Sequence, residues 1–209
     1  MITKVGSRVY EKQPYPSLHP KLSLMERSLL RWAVIDRDDR VLDAGLGNGY
    51  MVDYLRRNME CEVCGVSDNM ELVRQTRSLV RSADLVYAAD GEIPWRDRAF
   101  DAVLMRLHRG DEEGFERLLK EIRRVLKDGG QLVMAVECCP GPLHPLFKAL
   151  AAQEEPEGEA LSRKTALRLL NRLGFQHLTW QRANLLGGVL IAWKRNPLEE
   201  EAKDLEPER

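Results

Sequence analysis

The chain has 209 residues, 44% of them hydrophobic, which suffices for one core of ordinary domain size. Its 32 lysine and arginine residues are balanced by 33 aspartate and glutamate residues, and the formal charge of -1 and aromatic content of 6% argue against nucleic acid as a partner. No apolar run is long enough to span a membrane and the first residues lack the apolar core of a signal peptide, so we expect a cytoplasmic protein with no membrane partner.

Three prolines, Pro14, Pro16 and Pro20, predict an irregular N-terminal arm at residues 1–20. An amphipathic helix is predicted over residues 21–34. Strands and helices then alternate, with strands expected at residues 40–43, 62–66, 85–88, 100–105 and 131–136 and helices at residues 50–57, 68–82 and 111–126. The Asp128-Gly129-Gly130 turn is expected to end the last of these helices. This alternation predicts a doubly wound, mostly parallel α/β sheet with helices on both faces.

The last third of the chain has a different pattern. A short helix is predicted over residues 143–152, a loop over 153–159, and a second helix from an N-cap at Ser162 to Leu173. Two strands, at residues 175–180 and 189–193, are expected to pair antiparallel. Charged residues and proline dominate residues 196–209, which predicts a disordered tail behind a single domain at residues 21–195.

The most informative segment is residues 41–49, Val-Leu-Asp-Ala-Gly-Leu-Gly-Asn-Gly. It places three glycines at alternate positions directly after an apolar strand and an acid. Glycine lets the backbone turn sharply and approach a ligand, and the helix that follows presents a partially positive N-terminus. A dinucleotide-binding turn, G-x-G-x-x-G, would need glycine where Tyr50 stands, which argues against an NAD-dependent oxidoreductase.

This glycine turn resembles motif I of the class I S-adenosylmethionine-dependent methyltransferases. Two further segments are similar to the family: residues 89–95 followed by Phe100-Asp101-Ala102-Val103, and residues 122–130, where Asp128 replaces the family's proline. The C-terminal strand pair matches the family's terminal hairpin, so that the resemblance covers roughly residues 22–195. It implies a Rossmann-like sheet of seven strands in which only the last strand is antiparallel. It also implies methyl transfer from S-adenosylmethionine, with S-adenosylhomocysteine as product.

The resemblance implies a set of cofactor-binding residues. Asp43 would orient the cofactor's amino group, Asp90 would accept from the adenine amino group, and Arg106 would line the pocket near the methyl group. The full set is Asp43, Gly45, Leu46, Gly47, Gly49, Ser67, Asp68, Asn69, Asp90, Gly91, Glu92 and Arg106.

One position departs from the family pattern. The family ends its second strand with an acid that binds the ribose hydroxyls, and here Ser67 stands at that place with Asp68 next to it. A serine hydroxyl makes one short contact where a carboxylate accepts two, at a cost of about 1–3 kcal/mol. Two interpretations stay open: Ser67 contacts the ribose, or the chain shifts by one residue and Asp68 does.

Methyl transfer depends mainly on in-line positioning of an acceptor, with deprotonation where the acceptor needs it. His108 follows the fourth predicted strand of the sheet and is the candidate base. The balanced charge favours a small-molecule acceptor over nucleic acid. The alternative is a non-catalytic binding or partner subunit with a weakened cofactor site, which the serine at position 67 favours.

Four cysteines allow a metal site to be considered. Cys61 and Cys64 have C-x-x-C spacing, but residues three apart in a strand point to opposite faces, and Cys138-Cys139 do not form a second such pair. We therefore predict no metal site.

Overall fold

The computed structural model describes residues 2–5, 8–11, 21–89, 91–106, 111–137, 162–183 and 187–196. Strands β1 (Ile2–Val5) and β2 (Arg8–Glu11) pair antiparallel in a small sheet of their own. The expectation of an irregular arm was therefore wrong for these residues. The prolines begin only at Pro14, and the segment before them carries the strand-favouring residues Ile2, Val5 and Val9.

A second sheet has seven strands and forms the centre of the fold. Its strands are β3 (Arg40–Ala44), β4 (Glu62–Ser67), β5 (Asp84–Tyr87), β6 (Phe100–Met105), β7 (Leu126–Glu137), β8 (Phe175–Arg182) and β9 (Gly187–Lys194). They lie in the order β5-β4-β3-β6-β7-β9-β8. Strand β9 runs antiparallel to both of its neighbours, and the other described pairings in this sheet are parallel. The predicted seven-stranded sheet with an antiparallel last strand is confirmed.

Five α-helices are described, in each case close to a predicted position. They are α1 (Leu24–Trp32), α2 (Tyr50–Tyr54, continued by a π-helical turn over Leu55–Met59), α3 (Met70–Leu79), α4 (Glu112–Val125) and α5 (Arg163–Arg172). Helix α5 begins at the predicted N-cap, where the Ser162 Oγ accepts a 3.1 Å hydrogen bond from the Thr165 N–H. The predicted helix at residues 143–152, the loop at 153–159 and the tail from residue 197 lie outside the described residues. None of the helices described here is both long and apolar enough to cross a bilayer.

Alternate residues of the central strands belong to two separate cores. Val41 and Val63 pack with residues of α1, α2 and α3, whereas Leu42 and Cys64 pack with residues of α4 and α5. Successive side chains of a strand point to opposite faces, so one hydrophobic run fills both layers. Burial on both faces explains why these strands read as continuous apolar segments and not as alternating ones.

The Asp128-Gly129-Gly130 turn was expected to end helix α4, but it does not. The helix ends at Val125, because the next residue, Leu126, is fully buried and extended and pairs with Phe100. The glycines form an irregular stretch inside β7, where the pairing partner shifts from Leu126 to Gln131. Gly129 has the left-handed φ of +76° that this bulge requires.

Candidate functional site

The glycine turn lies at the carboxyl end of β3, in the middle of the sheet. The Gly45 N–H donates to the carbonyl of Val66 at 2.8 Å, which holds the turn against the end of β4. Gly47 and Gly49 have φ values of +46° and +76°, in the left-handed region that favours glycine. The carboxyl end of a central parallel strand is where ligands bind in open α/β sheets.

The turn has close neighbours at two of its glycines. A Cβ on Gly47 would lie 2.7 Å from the Arg106 Cζ, and a Cβ on Gly49 would lie 2.6 Å from the Thr76 Oγ1. Leu46, between the first two glycines, is fully buried in the core beneath the turn. The turn is therefore fixed from below by Leu46 and covered at Gly47 by the guanidinium of Arg106.

Arg106, just past β6, joins two acids across this turn. Its Nη1 donates to the Asp43 Oδ1 at 3.2 Å and to the Gly45 carbonyl at 3.0 Å, and its Nη2 donates to the Glu26 Oε1 at 2.7 Å. The Asp43 side chain is fully buried, and its other oxygen, Oδ2, has no hydrogen-bond partner among the described residues. A buried carboxylate oxygen without a donor is costly unless a ligand or another group satisfies it.

Burial sets the ionisation of this cluster. Removal from water raises the pKa of Asp43 to about 6, while Arg106 lowers it and the neighbouring charge of Glu26 adds to the rise. Burial lowers the pKa of Arg106, but the carboxylates of Asp43 and Glu26 outweigh it, so that the net shift is upward. The guanidinium therefore stays charged, and the pKa of the Asp43 carboxyl lies close to neutral pH.

The structure separates the two candidates at the end of β4. Ser67 is the last residue of the strand and is buried, and its Oγ accepts a 3.1 Å hydrogen bond from the Asn69 N–H. Asp68 lies beyond the strand with an exposed side chain, and Asn69 is the N-cap of α3. Ser67, rather than Asp68, is thus at the strand end beside the glycine turn, with its hydroxyl proton still able to donate.

The segment from Gly91 to Asp97 is anchored to helix α4. Arg124 donates at 2.8 Å each to the carbonyls of Ile93 and Trp95 and to the Asp97 carboxylate. Gly91 has a φ of +76°, and the exposed Glu92 follows it. Asp90 and His108 lie outside the described residues, so their expected roles stay predictions.

Glu26 also belongs to this cluster, although it was not among the residues predicted from the sequence. It lies in α1, 80 residues from Arg106, and its side chain is only 5% exposed. The available signal was the S-x-x-E spacing of Ser23 and Glu26, a helix-capping box. That signal explains one oxygen of Glu26, and the contact with Arg106 accounts for the other.

The cysteines and acids of the described segments form no group of three that could hold a metal ion. Cys61 and Cys64 are buried in the two different cores. Burial raises the pKa of Cys61 to about 12 and that of Cys64 to about 11, so neither thiol is a ready metal ligand or nucleophile.

Comparison with known proteins adds family evidence. Residues 42–134 match the methyltransferase domain family. A glycine/sarcosine/dimethylglycine N-methyltransferase of Actinopolyspora halophila is 32% identical over 120 residues, 52% of this chain and 21% of that protein. A sarcosine/dimethylglycine N-methyltransferase of Halorhodospira halochloris is 28% identical over 158 residues, 69% of this chain and 54% of that protein. The chain therefore spans less than two thirds of either curated relative.

A solved structure supports the fold in particular. The structure described as an S-adenosylmethionine-dependent methyltransferase of Methanosarcina mazei superposes with a TM-score of 0.62 and 23% identity, over 78% of this chain and 95% of that one. The segment that matches the methyltransferase domain family begins at Leu42, inside the strand that precedes the glycine turn, and ends at Met134 in β7. It thus includes the turn, Ser67 and Arg106. Residues 42–134 are therefore similar to the methyltransferase domain family, and the fold is shared with the Methanosarcina mazei structure.

Proposed function

We propose that this chain transfers the methyl group of S-adenosylmethionine to a small-molecule acceptor. The observation that carries the proposal is the glycine turn at the carboxyl end of β3, next to a fully buried Asp43 whose Oδ2 has no hydrogen-bond partner in the described part of the chain. Such a turn brings backbone groups against a ligand, and an unsatisfied buried carboxylate oxygen suits a ligand's N–H donor.

The residues present fit this cofactor. Gly45 and Gly47 would face its amino-acid part, Asp43 would accept from its ammonium group, and Ser67 would contact the ribose. When bound, the cofactor supplies a methyl group on a sulfonium, which is already electrophilic. The protein then has to hold donor and acceptor in line and to keep water from the reacting centre.

Two arguments favour a small acceptor over nucleic acid. The net charge of -1 provides no bulk attraction to phosphate backbones. The two curated relatives are named as enzymes that methylate amines of amino-acid size, glycine, sarcosine and dimethylglycine. An amine is therefore the first acceptor class to screen, and a cytoplasmic location is part of the same proposal.

Isothermal titration tests the cofactor. S-adenosylmethionine and S-adenosylhomocysteine are expected to bind in the micromolar range, and NADH, the control nucleotide, is expected to give no heat of binding. Absence of binding at millimolar cofactor would contradict the proposal. A subsequent acceptor screen would follow the formation of S-adenosylhomocysteine from glycine, sarcosine and dimethylglycine.

Ser67→Asp is expected to strengthen S-adenosylhomocysteine binding roughly tenfold to a hundredfold, because a carboxylate accepts from both ribose hydroxyls where serine makes one contact. The matched control is Asp68→Ala, which removes the neighbouring, exposed carboxylate. Titration of both variants separates the two interpretations. A large loss of affinity in Asp68→Ala, with no gain in Ser67→Asp, would show that Asp68 holds the ribose.

One alternative has an observation in its favour. A serine stands at the ribose position and Arg106 lies across the turn, which together would suit a methyltransferase-fold binding or partner subunit with a weakened cofactor site. The isothermal titration with the two cofactor forms also distinguishes this alternative from an active methyltransferase. A protein that binds neither cofactor form, yet folds cooperatively, would favour the partner-subunit function.

A further inference from the structure

The charged Arg106 side chain occupies two of the acceptors at the glycine turn, the Asp43 Oδ1 and the Gly45 carbonyl. One guanidinium nitrogen, Nη1, is shared between the Asp43 carboxylate at 3.2 Å and the Gly45 carbonyl at 3.0 Å. The guanidinium also lies against Gly47, where a Cβ would come within 2.7 Å of Cζ. A cation thus covers the stretch of turn that the proposed function assigns to the amino-acid part of the cofactor.

The cluster has an excess of negative charge. With Asp43 and Glu26 ionised, one guanidinium faces two carboxylates, for a sum of -1 over the residues that the structure describes here. The side chains are buried, Asp43 fully and Arg106 to all but 19% of its surface, so charge interactions are stronger here than in water. The cluster favours a second cation and disfavours an anion, because an added carboxylate would meet two like charges.

The two ends of Arg106 are held unequally. Its contact with the Glu26 Oε1 is 2.7 Å, against 3.2 Å to the Asp43 Oδ1 and 3.0 Å to the Gly45 carbonyl at the other end. Glu26 is itself fixed, because its Oε2 accepts from the Ser23 N–H at 2.8 Å and its own N–H donates to the Ser23 Oγ at 3.2 Å. The Glu26 end is therefore anchored to the start of α1, and the end at the turn is the looser one.

We propose that Arg106 competes with the ammonium group of the ligand for Asp43 and the Gly45 carbonyl. Glu26 then holds Arg106 when the ammonium displaces it from these two acceptors. This inference rests on the proposed function, since it assigns the ammonium to the amino-acid part of S-adenosylmethionine. Glu26 then acts as a positioning residue from a distance: it lowers the cost of moving Arg106 off the turn. The affinity for ligands that carry the ammonium is reduced by the fraction of molecules in which Arg106 covers the turn.

Glu26→Gln tests this assignment. Glutamine preserves the capping box and hence α1, but it removes the charge that retains Arg106. The two ligands compared by titration are S-adenosylhomocysteine, which carries the ammonium, and methylthioadenosine, which lacks the amino-acid part. The ratio of their affinities is expected to fall about tenfold in Glu26→Gln, with methylthioadenosine binding unchanged. An unchanged ratio overturns the proposal, and so does a rise, which would mean that the released Arg106 binds the ligand's carboxylate.

A second variant separates displacement of Arg106 from a simple field effect of Glu26. In an Arg106→Met background there is no competitor to retain, so adding Glu26→Gln is expected to leave the ratio unchanged. A tenfold fall in that background too would overturn the proposal, because Glu26 would then act on the ammonium directly. If wild-type protein fails to bind S-adenosylhomocysteine at all, the proposed function fails, whereas normal wild-type binding with the wrong ratios rejects only the role of Arg106.

Discussion

Gly47→Ala is expected to weaken S-adenosylhomocysteine binding about a hundredfold, which corresponds to about 3 kcal/mol. A left-handed conformation, φ +46°, costs an alanine about 1–2 kcal/mol. The added methyl group would also stand 2.7 Å from the Arg106 Cζ, on the side of the turn that we assign to the ligand. Titration of the purified variant measures the affinity, and urea unfolding measures the stability lost through strain.

Gly129→Ala is the matched control. Gly129 has a comparable left-handed φ of +76°, but the nearest described atom to a Cβ there is the Asn196 Nδ2 at 3.7 Å, and the residue lies in the β7 bulge, away from the glycine turn. It should lose stability through strain and keep wild-type affinity. A Gly47→Ala protein that binds the ligand as wild type does would place the cofactor elsewhere.

Local patterns predicted most of the fold because each element carries its own signal. Ser162 caps α5 as expected, and the apolar runs at residues 41–44, 63–66 and 102–105 became central strands. The glycine turn was predictable because its three glycines follow directly in sequence after the strand that positions it. These features depend on neighbours within a few residues.

Features that depend on distant residues were not predictable in this way. The contact between Glu26 and Arg106 spans 80 residues and forms only when α1 packs near the end of β6. Helix α4 was predicted to reach Leu126 and to be stopped by the turn at residues 128–130, but pairing of Leu126 with Phe100 of β6 ended it at Val125. Which of Ser67 and Asp68 is the last residue of β4 likewise depends on the pairing of that strand with β5.

The stability of the wild-type protein relative to Asp43→Asn is expected to fall by about 3 kcal/mol as the pH rises from about 4 to about 7. Burial raises the pKa of Asp43 to about 6 in the folded protein, and the ordinary value of 3.8 applies when the chain is unfolded. Between these two values the native state holds a proton that the unfolded state has released. Stability contributed by neutral Asp43 is therefore fully present below about pH 4 and is lost as the pH passes 6.

Urea unfolding of both proteins across this pH range measures the difference, and subtraction cancels the titration of groups that the two proteins share. Asparagine keeps the shape of the side chain but has no ionisable proton. Within the described residues, the charged groups that face Asp43 are Arg106, from the end of β6, and Glu26, from α1. A difference that rises with pH would contradict the prediction, because Arg106 would then outweigh burial and hold the pKa of Asp43 below its ordinary value.

The same ionisation connects stability to ligand binding. Neutral Asp43 destabilises the folded protein less than the ionised form does, but only the carboxylate attracts an ammonium group strongly. S-adenosylhomocysteine affinity should therefore increase in the wild-type protein as the pH rises through about 6, and stay nearly level in Asp43→Asn. A buried acid that destabilises the free protein at neutral pH is understandable if its cost is offset when a ligand cation binds.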